Sequence, residues 1–299
     1  MATLSLNSED LQGLSTAIVE DFKGSLATVK SDIDPYIKVI PVKQNVVQVP
    51  FEMTFQSTLP KWLSQKEVVK LGAQLATVTT NKYGVVFRIP REAFDDDQLG
   101  LYRSALSDFG TLAAKHKASE VAAALKGGKS DTGFDGLATF HTAHDVGDGS
   151  TQSNLFQGDE FELSAEALQL VYTAASKYHG ASGNNLGQVF DTVLVGPSDR
   201  FKIAEILNAD TLPGGGTNIM KGTLKYAVLN ELTETGVYYM FNSAARPLVY
   251  LERDAPEITP KFDPGDPRAL MFDEYETHIR ARGAAILGVW PSIARIEGF

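Results

Sequence analysis

The chain has 299 residues, 43% hydrophobic and 21% charged, enough material to bury a core as one large domain or two smaller ones. Its formal net charge of -10 argues against a general grip on nucleic acid, because phosphate contacts need clustered Lys and Arg. Cysteine is absent, which excludes disulfides, thiol nucleophiles and cysteine zinc sites together, and no stretch approaches the roughly 20 apolar residues of a membrane span.

Residues 1–20 lack a basic start followed by an apolar run, so no signal peptide is expected. Residues 7–30 read as a helix. Asn7 or Ser8 can cap it, Glu9 and Asp10 suit its positive end, and Leu11, Leu14, Ile18, Phe22 and Leu26 form one stripe. That stripe needs a surface, either on the chain's own body or on a neighbour.

A strand with clean alternation follows: Val47, Val49, Phe51, Met53 and Phe55 point one way, and Gln48, Glu52 and Thr54 the other. Pro50 lies on the polar side and demotes it to an edge strand or a free hairpin arm. The chain passes Pro60-Lys-Trp62 and returns through Val68 to Thr80, so residues 45–80 form a long, partly extended excursion. Two strands alone are marginal in water, which predicts that the excursion leans on another subunit.

Val85, Phe87 and Ile89 mark the next strand. It leads through Asp95-Asp-Asp97 into a long helix with Tyr102, Leu106, Phe109, Ala113, Val121 and Leu125 on its apolar face. Ala105, Leu112 and Ala124 widen that face, Gly110 reads as its weak point, and Gly127-Gly128 ends a rod of roughly 40 Å.

Residues 129–160 read as loop or hairpin. A helix opens at Ser164, a buried strand spans Phe190–Val195, and a short helix starts at Pro197-Ser-Asp199. Gly214-Gly-Gly216 is a flexible loop, and strands lie near Leu224–Leu229 and Val237–Phe241, giving an α/β-like subdomain. Near the C-terminus Tyr275, Thr277, Ile279 and Ala281 alternate with Glu276, His278, Arg280 and Arg282, a strand with an apolar and a charged face. Ala285–Val289 and Ile293–Ile296 can extend the same sheet.

Catalytic signals are poor. Gly128-Lys129-Ser130 follows a helix, and Ala123 stands where a phosphate loop needs its first glycine. Gly196-Pro-Ser-Asp-Arg200 has Arg200 where a nucleophile elbow needs glycine. His141, His144 and Asp145 could supply three metal ligands, but no Glu is placed as a base, and loop histidines making hydrogen bonds are the plainer reading. Asp95-Asp-Asp97 suits a helix start, and Asp263-Pro-Gly-Asp-Pro267 reads as a turn. No cofactor, metal or catalytic residue is assigned.

Pro60-Lys-Trp62, Asn81-Lys82-Tyr83 and the run from Arg91 to Tyr102 resemble the Mu-like phage major head subunit family. The resemblance resumes at Phe134-Asp-Gly-Leu137, Phe140-His141, His144, Ser153-Asn154-Leu155 and Asp191 to Pro197. It returns at Arg246-Pro-Leu248, Glu252, Phe272-Asp273 and Arg280-Ala-Arg282 through Trp290.

The resemblance implies an α+β chain with the tailed-phage major capsid fold, also called the Johnson fold. Residues 1–44 would be the N-terminal arm, 45–82 the extended loop hairpin, and 83–150 the peripheral domain with a spine helix at about 97–126. Residues 151–243 would be the axial domain and 244–299 peripheral return strands. No long scaffolding segment precedes the arm, and no covalent crosslink is assigned to Lys61, Lys66 or Lys70.

The function so implied is a structural shell protein, not an enzyme, forming pentamers and hexamers around double-stranded DNA without sequence-specific binding. It would reside in the virion, and in host cytoplasm during assembly, with scaffolding protein, portal and decoration proteins as partners and no membrane. Phe51, Met53, Phe55 and Trp62 are expected to be buried only after assembly, and Gly214, Gly215 and Gly216 to lie near the capsomer axis. The alternatives are an encapsulin-like nanocompartment shell, a tail or portal component, and a metal-dependent enzyme using His141 and His144.

Overall fold

The computed structural model describes residues 8–52, 73–92, 99–133, 135–181, 183–211 and 216–299. Helix α1 (Ser8–Thr28) buries Leu11, Ile18 and Phe22, spaced as one helical face. Strands β1 (Ile37–Pro41), β2 (Val46–Glu52), β3 (Ala73–Thr79) and β4 (Asn81–Pro90) follow, then helix α2 (Leu99–Gly127). At 29 residues α2 is about 43 Å long.

Three short strands come next: β5 (His144–Asp145), β6 (Thr151–Gln152) and β7 (Leu155–Gln157). Helix α3 (Ala165–Ser176) starts at Ser164, whose hydroxyl accepts from the Ala167 N–H at 3.1 Å. Strand β8 (Thr192–Val195), helix α4 (Arg200–Asn208), and strands β9 (Lys225–Val228) and β10 (Val237–Phe241) complete the middle of the chain. Two 14-residue strands, β11 (Leu248–Lys261) and β12 (Glu274–Leu287), are joined through the short helix α5 (Pro267–Phe272). Strand β13 (Ile293–Glu297) ends the fold.

The strands form a four-stranded sheet in the order β1-β11-β12-β4 and a five-stranded sheet in the order β7-β13-β10-β8-β9. Hairpin β2-β3 is a two-stranded sheet of its own. The Ile293–Ile296 segment therefore does not extend the C-terminal sheet as expected. It pairs with β10 and β7, which returns the chain end to the middle unit. A period-two apolar pattern sets which face is buried; it does not choose the sheet.

Side-chain alternation divides the interior. Tyr238, Met240, Val193 and Ile296 pack under α3 and α4, whereas Tyr239, Phe241, Leu194 and Ile293 face the second half of α2, with Val121 and Leu125. The five-stranded sheet is thus buried on both faces, which explains why its strands read as continuous apolar runs. A third core joins α1 to the first half of α2 and to the long hairpin, through Phe22, Leu106, Ile258 and Tyr275. The stripe of α1 thus docks on the chain's own body rather than on a neighbour. On β12 the expected alternation holds: Tyr275, Thr277, Ile279 and Ala281 are buried, while Glu276, Arg280 and Arg282 lie on the ion-paired face.

Candidate functional site

The loop histidines are structural. His144 is fully buried, with Nδ1 2.6 Å from Asp135 Oδ2 and Nε2 3.0 Å from Asn154 Oδ1. Its ring stacks on Trp290 with centroids 4.6 Å apart and an interplanar angle of 2°. Both ring nitrogens are turned to oxygens of neighbouring side chains within hydrogen-bond distance, so neither is open to a metal. His141 Nδ1 accepts from the Ala143 N–H at 3.1 Å. Among the described residues no group of three or more His, Cys, Asp or Glu is placed to hold a metal ion.

Asn154 is the hub of this cluster and was not singled out as a hub from sequence. Its amide nitrogen donates to the carbonyls of Thr139, Trp290 and Ile293, while its oxygen accepts from the His141 N–H and from His144. The side chain ties the loop after α2 to the last strand.

The two other motif-like segments are also packing features. Lys129 spends its ammonium on Glu297, at 2.8 and 2.9 Å from the two carboxylate oxygens. Gly128 lies against Phe140 and Leu287, where a Cβ would intrude to 2.8 Å. At Gly196 a Cβ would collide with the Leu232 carbonyl oxygen, so this glycine serves close strand-to-loop packing. The Asp263 segment is a turn: Asp263 accepts from the Gly265 N–H, and Asp266 caps α5 by accepting from the Arg268 N–H.

A buried charge cluster sits where the five-stranded sheet meets the end of α2. Arg295 donates to Glu297 at 2.7 Å, to the Tyr239 hydroxyl at 2.7 Å and to Glu234 at 3.0 Å. Burial by itself would raise the Glu297 carboxyl. Hydrogen bonds from Lys129, Arg295 and Gln157 outweigh it and hold the group down at about 2. Tyr239 also donates to the Leu125 carbonyl, one of the terminal acceptors a helix leaves open.

Surfaces without local cover are the better functional candidates. In the hairpin, β2 and β3 pair from Val46–Thr79 to Glu52–Ala73. Of the side chains described there none is buried, and Val46 and Leu75 are 50% and 55% exposed. The base is clamped by Thr80, whose N–H and hydroxyl both donate to the Asn45 carbonyl, and by Arg253 donating to the Asn45 side chain. The excursion is therefore anchored at its root and uncovered along its described length.

Phe51 lies in β2 opposite Gln74, whereas Met53, Phe55 and Trp62 lie outside the described residues, as do Gly214 and Gly215. Gly216 is exposed beside the Thr211–Thr217 bridge that closes that loop. Of the residues expected to make contacts, the two described, Phe51 and Gly216, lie in separate elements.

Other exposed apolar residues were not picked out from sequence. Leu270 and Met271 of α5 stand out at the tip of the long hairpin, 71% and 75% exposed, while Arg268 covers the Phe272 ring at 4.4 Å. Leu112, expected to widen the buried face of α2, is 61% exposed instead. It borders an open groove of about 630 Å³ between α2 and the sheet, with Val85, Phe109 and Ile279. In that groove burial lowers the His116 pKa, and Tyr83 donates to Glu120 at 2.6 Å. A hairpin tip and a helix rim look like core segments in sequence, because apolar spacing is the same whether the cover comes from within or from outside.

A long helix, a long two-stranded return, a five-stranded second unit and a detached hairpin together define the tailed-phage major capsid fold. Solved structures agree. A procapsid of bacteriophage JBD30 matches with a TM-score of 0.62 at 20% identity, over 98% of this chain and 77% of that one. The JBD30 capsid matches at 0.52 and 15% identity, over 97% and 73%. A virus-like particle from Pyrococcus furiosus matches at 0.56 and 12% identity, over 94% and 98%. The model of the Mu-like prophage major head subunit gpT matches residues 11–162, and the chain belongs to that family. The major capsid protein of Escherichia phage Mu is 25% identical over 158 residues, which are 50% of this chain and 52% of that protein. The chain thus spans about half the length of that curated relative in the matched region.

Proposed function

We propose that this chain is the building block of a closed icosahedral capsid, assembling as pentamers and hexamers around double-stranded DNA. The observation that carries the reading is the β2-β3 hairpin, a two-stranded sheet rooted at Asn45 and Thr80 with no buried side chain among those described, in a chain of the major head subunit family. Closed symmetry lets identical copies cover such edges. In this reading residues 1–44 act as the arm, 45–82 as the extended loop, 83–150 and 244–299 as the peripheral domain, and 151–243 as the axial domain. The pairing of β13 with β10 supports counting residues 293–297 with the axial unit instead of the peripheral one.

The role is structural and its place is the virion capsid, with assembly in host cytoplasm. A net charge of -10 suits a shell that encloses DNA without gripping it. Scaffolding, portal and decoration proteins are the expected partners. Negative-stain imaging of the purified chain, with size measurement, should show closed shells. Rings or tubes would point to a portal or tail component, and a monomer at every concentration and salt would overturn the proposal.

The second reading is a nanocompartment shell of the same fold, which a likeness to a virus-like particle from Pyrococcus furiosus leaves open beside the capsid. Nuclease-protected nucleic acid inside particles from the native source supports the capsid; packaged protein cargo supports the compartment.

A further inference from the structure

The chain crosses from the five-stranded to the four-stranded sheet through residues 242–247. At Arg246 the backbone has a φ of 46°, the left-handed region that side-chain-bearing residues other than Asn and Asp seldom enter. The next residue is Pro247, which further biases its predecessor toward extended backbone. Glycine would make this turn with less strain.

The surroundings leave the backbone no alternative. On one side the Asn242 N–H donates to the Ser292 carbonyl at 2.9 Å, and the Ser243 N–H donates to Asp191 at 2.8 Å. On the other, Pro247 is buried, its carbonyl accepts from the Gly288 N–H at 2.7 Å, and a Cβ on Gly288 would lie 3.1 Å from the Pro247 Cα. Strain held by over-determined neighbours is a mark of a working position. The Arg246 side chain contributes nothing visible within the chain: it is exposed, and its guanidinium has no hydrogen bond or ion pair among the described residues.

We propose that Arg246 is an assembly contact, its guanidinium binding a carboxylate on an adjoining copy of this chain. A second copy carries an excess of carboxylates, with 37 Asp and Glu against 27 Lys and Arg. The planar fork of Arg matches a carboxylate with two parallel hydrogen bonds, which Lys cannot reproduce. Holding the residue in a fixed turn sets the point and direction at which its side chain leaves the surface, so that only the side chain itself remains to be ordered on contact. The inference rests on the shell reading.

The test compares wild type with Arg246→Gly, Arg246→Gln and Arg246→Lys in the full chain. Two quantities are measured: the unfolding midpoint of dissociated subunits, and the subunit concentration at which shells appear. Arg246→Gly should unfold at the same or a higher temperature, yet need about tenfold more protein to assemble. Arg246→Gln should assemble as poorly without the thermal gain, and Arg246→Lys should fall between. Wild-type assembly should also weaken more steeply with salt than that of Arg246→Gln. If wild type forms shells and the Gly and Gln variants match its threshold, this inference alone falls. A lowered midpoint for Arg246→Gly would make the residue a fold element and overturn it too. If wild type closes no shell, the shell reading fails first and takes this contact with it.

Discussion

A Cβ on Gly110 of α2 would lie 2.8 Å from the carbonyl oxygen of Phe22 on α1. The same atom would lie 2.8 Å from Ser25 Cβ, and one turn earlier the Ser25 and Ser107 hydroxyls meet at 2.6 Å. The glycine that sequence marks as the weak point of the long helix is the place where a second helix crosses it at close range.

Helix propensity alone favours Gly110→Ala by up to about 1 kcal/mol. Here the obstacle is backbone, which cannot rotate away, and overpacking of this kind costs about 1–3 kcal/mol. The expected net effect is destabilisation, read as a lower denaturation midpoint of dissociated subunits. A stabilised variant would show that α1 does not cross α2 at this residue.

Asn154 offers three carbonyls its amide hydrogens and two donors its oxygen. Asn154→Asp keeps the volume but turns the carbonyl-facing side into an anion. The repelled acceptors and lost hydrogen bonds should cost about 3 kcal/mol or more, exceeding the loss in Asn154→Ser. Equal stability of the Asp and Ser variants in denaturant titration at neutral pH would contradict this role. Chelators should leave all three proteins unchanged.

Glu297 has its carboxyl depressed from the ordinary 4.5 to about 2. A depressed acid stabilises the fold above its unfolded value and loses that contribution as protons bind to the folded state. Stability should therefore fall as pH drops from about 4.5 towards 2, and Glu297→Gln should flatten that part of the acid profile. The variant will also be less stable at neutral pH, because buried Arg295 and half-exposed Lys129 lose their anion. An unchanged acid slope would show that Glu297 is not the titrating group.

Among the described residues, none of the three cores includes a side chain of the β2-β3 hairpin. Excising residues 46–80 and rejoining the chain with a short Gly-Ser link should give a folded subunit of near-native circular dichroism that forms no closed shell. Normal shells from this deletion would remove the hairpin from assembly, and an unfolded product would place it within the fold.

Much of the local structure was legible because it depends on neighbours in sequence. The alternation at Tyr275–Arg282, the cap at Ser164, the length of α2 and the isolation of the hairpin follow from side-chain period, capping chemistry and breaker residues. The hub at Asn154, the Arg295 cluster and the partner sheet of β13 join residues more than 100 positions apart in sequence, and no local pattern encodes them.

By itself the sequence determined the kinds of element, the apolar stripes that need cover and the lack of thiol chemistry. Only the tertiary structure decided that α1 lies on its own chain, that Gly110 is a crossing point, and that Leu112 and Met271 remain uncovered. The reason is physical: a pattern of apolar residues specifies that a surface must be covered, whereas which surface covers it depends on packing between residues distant in sequence.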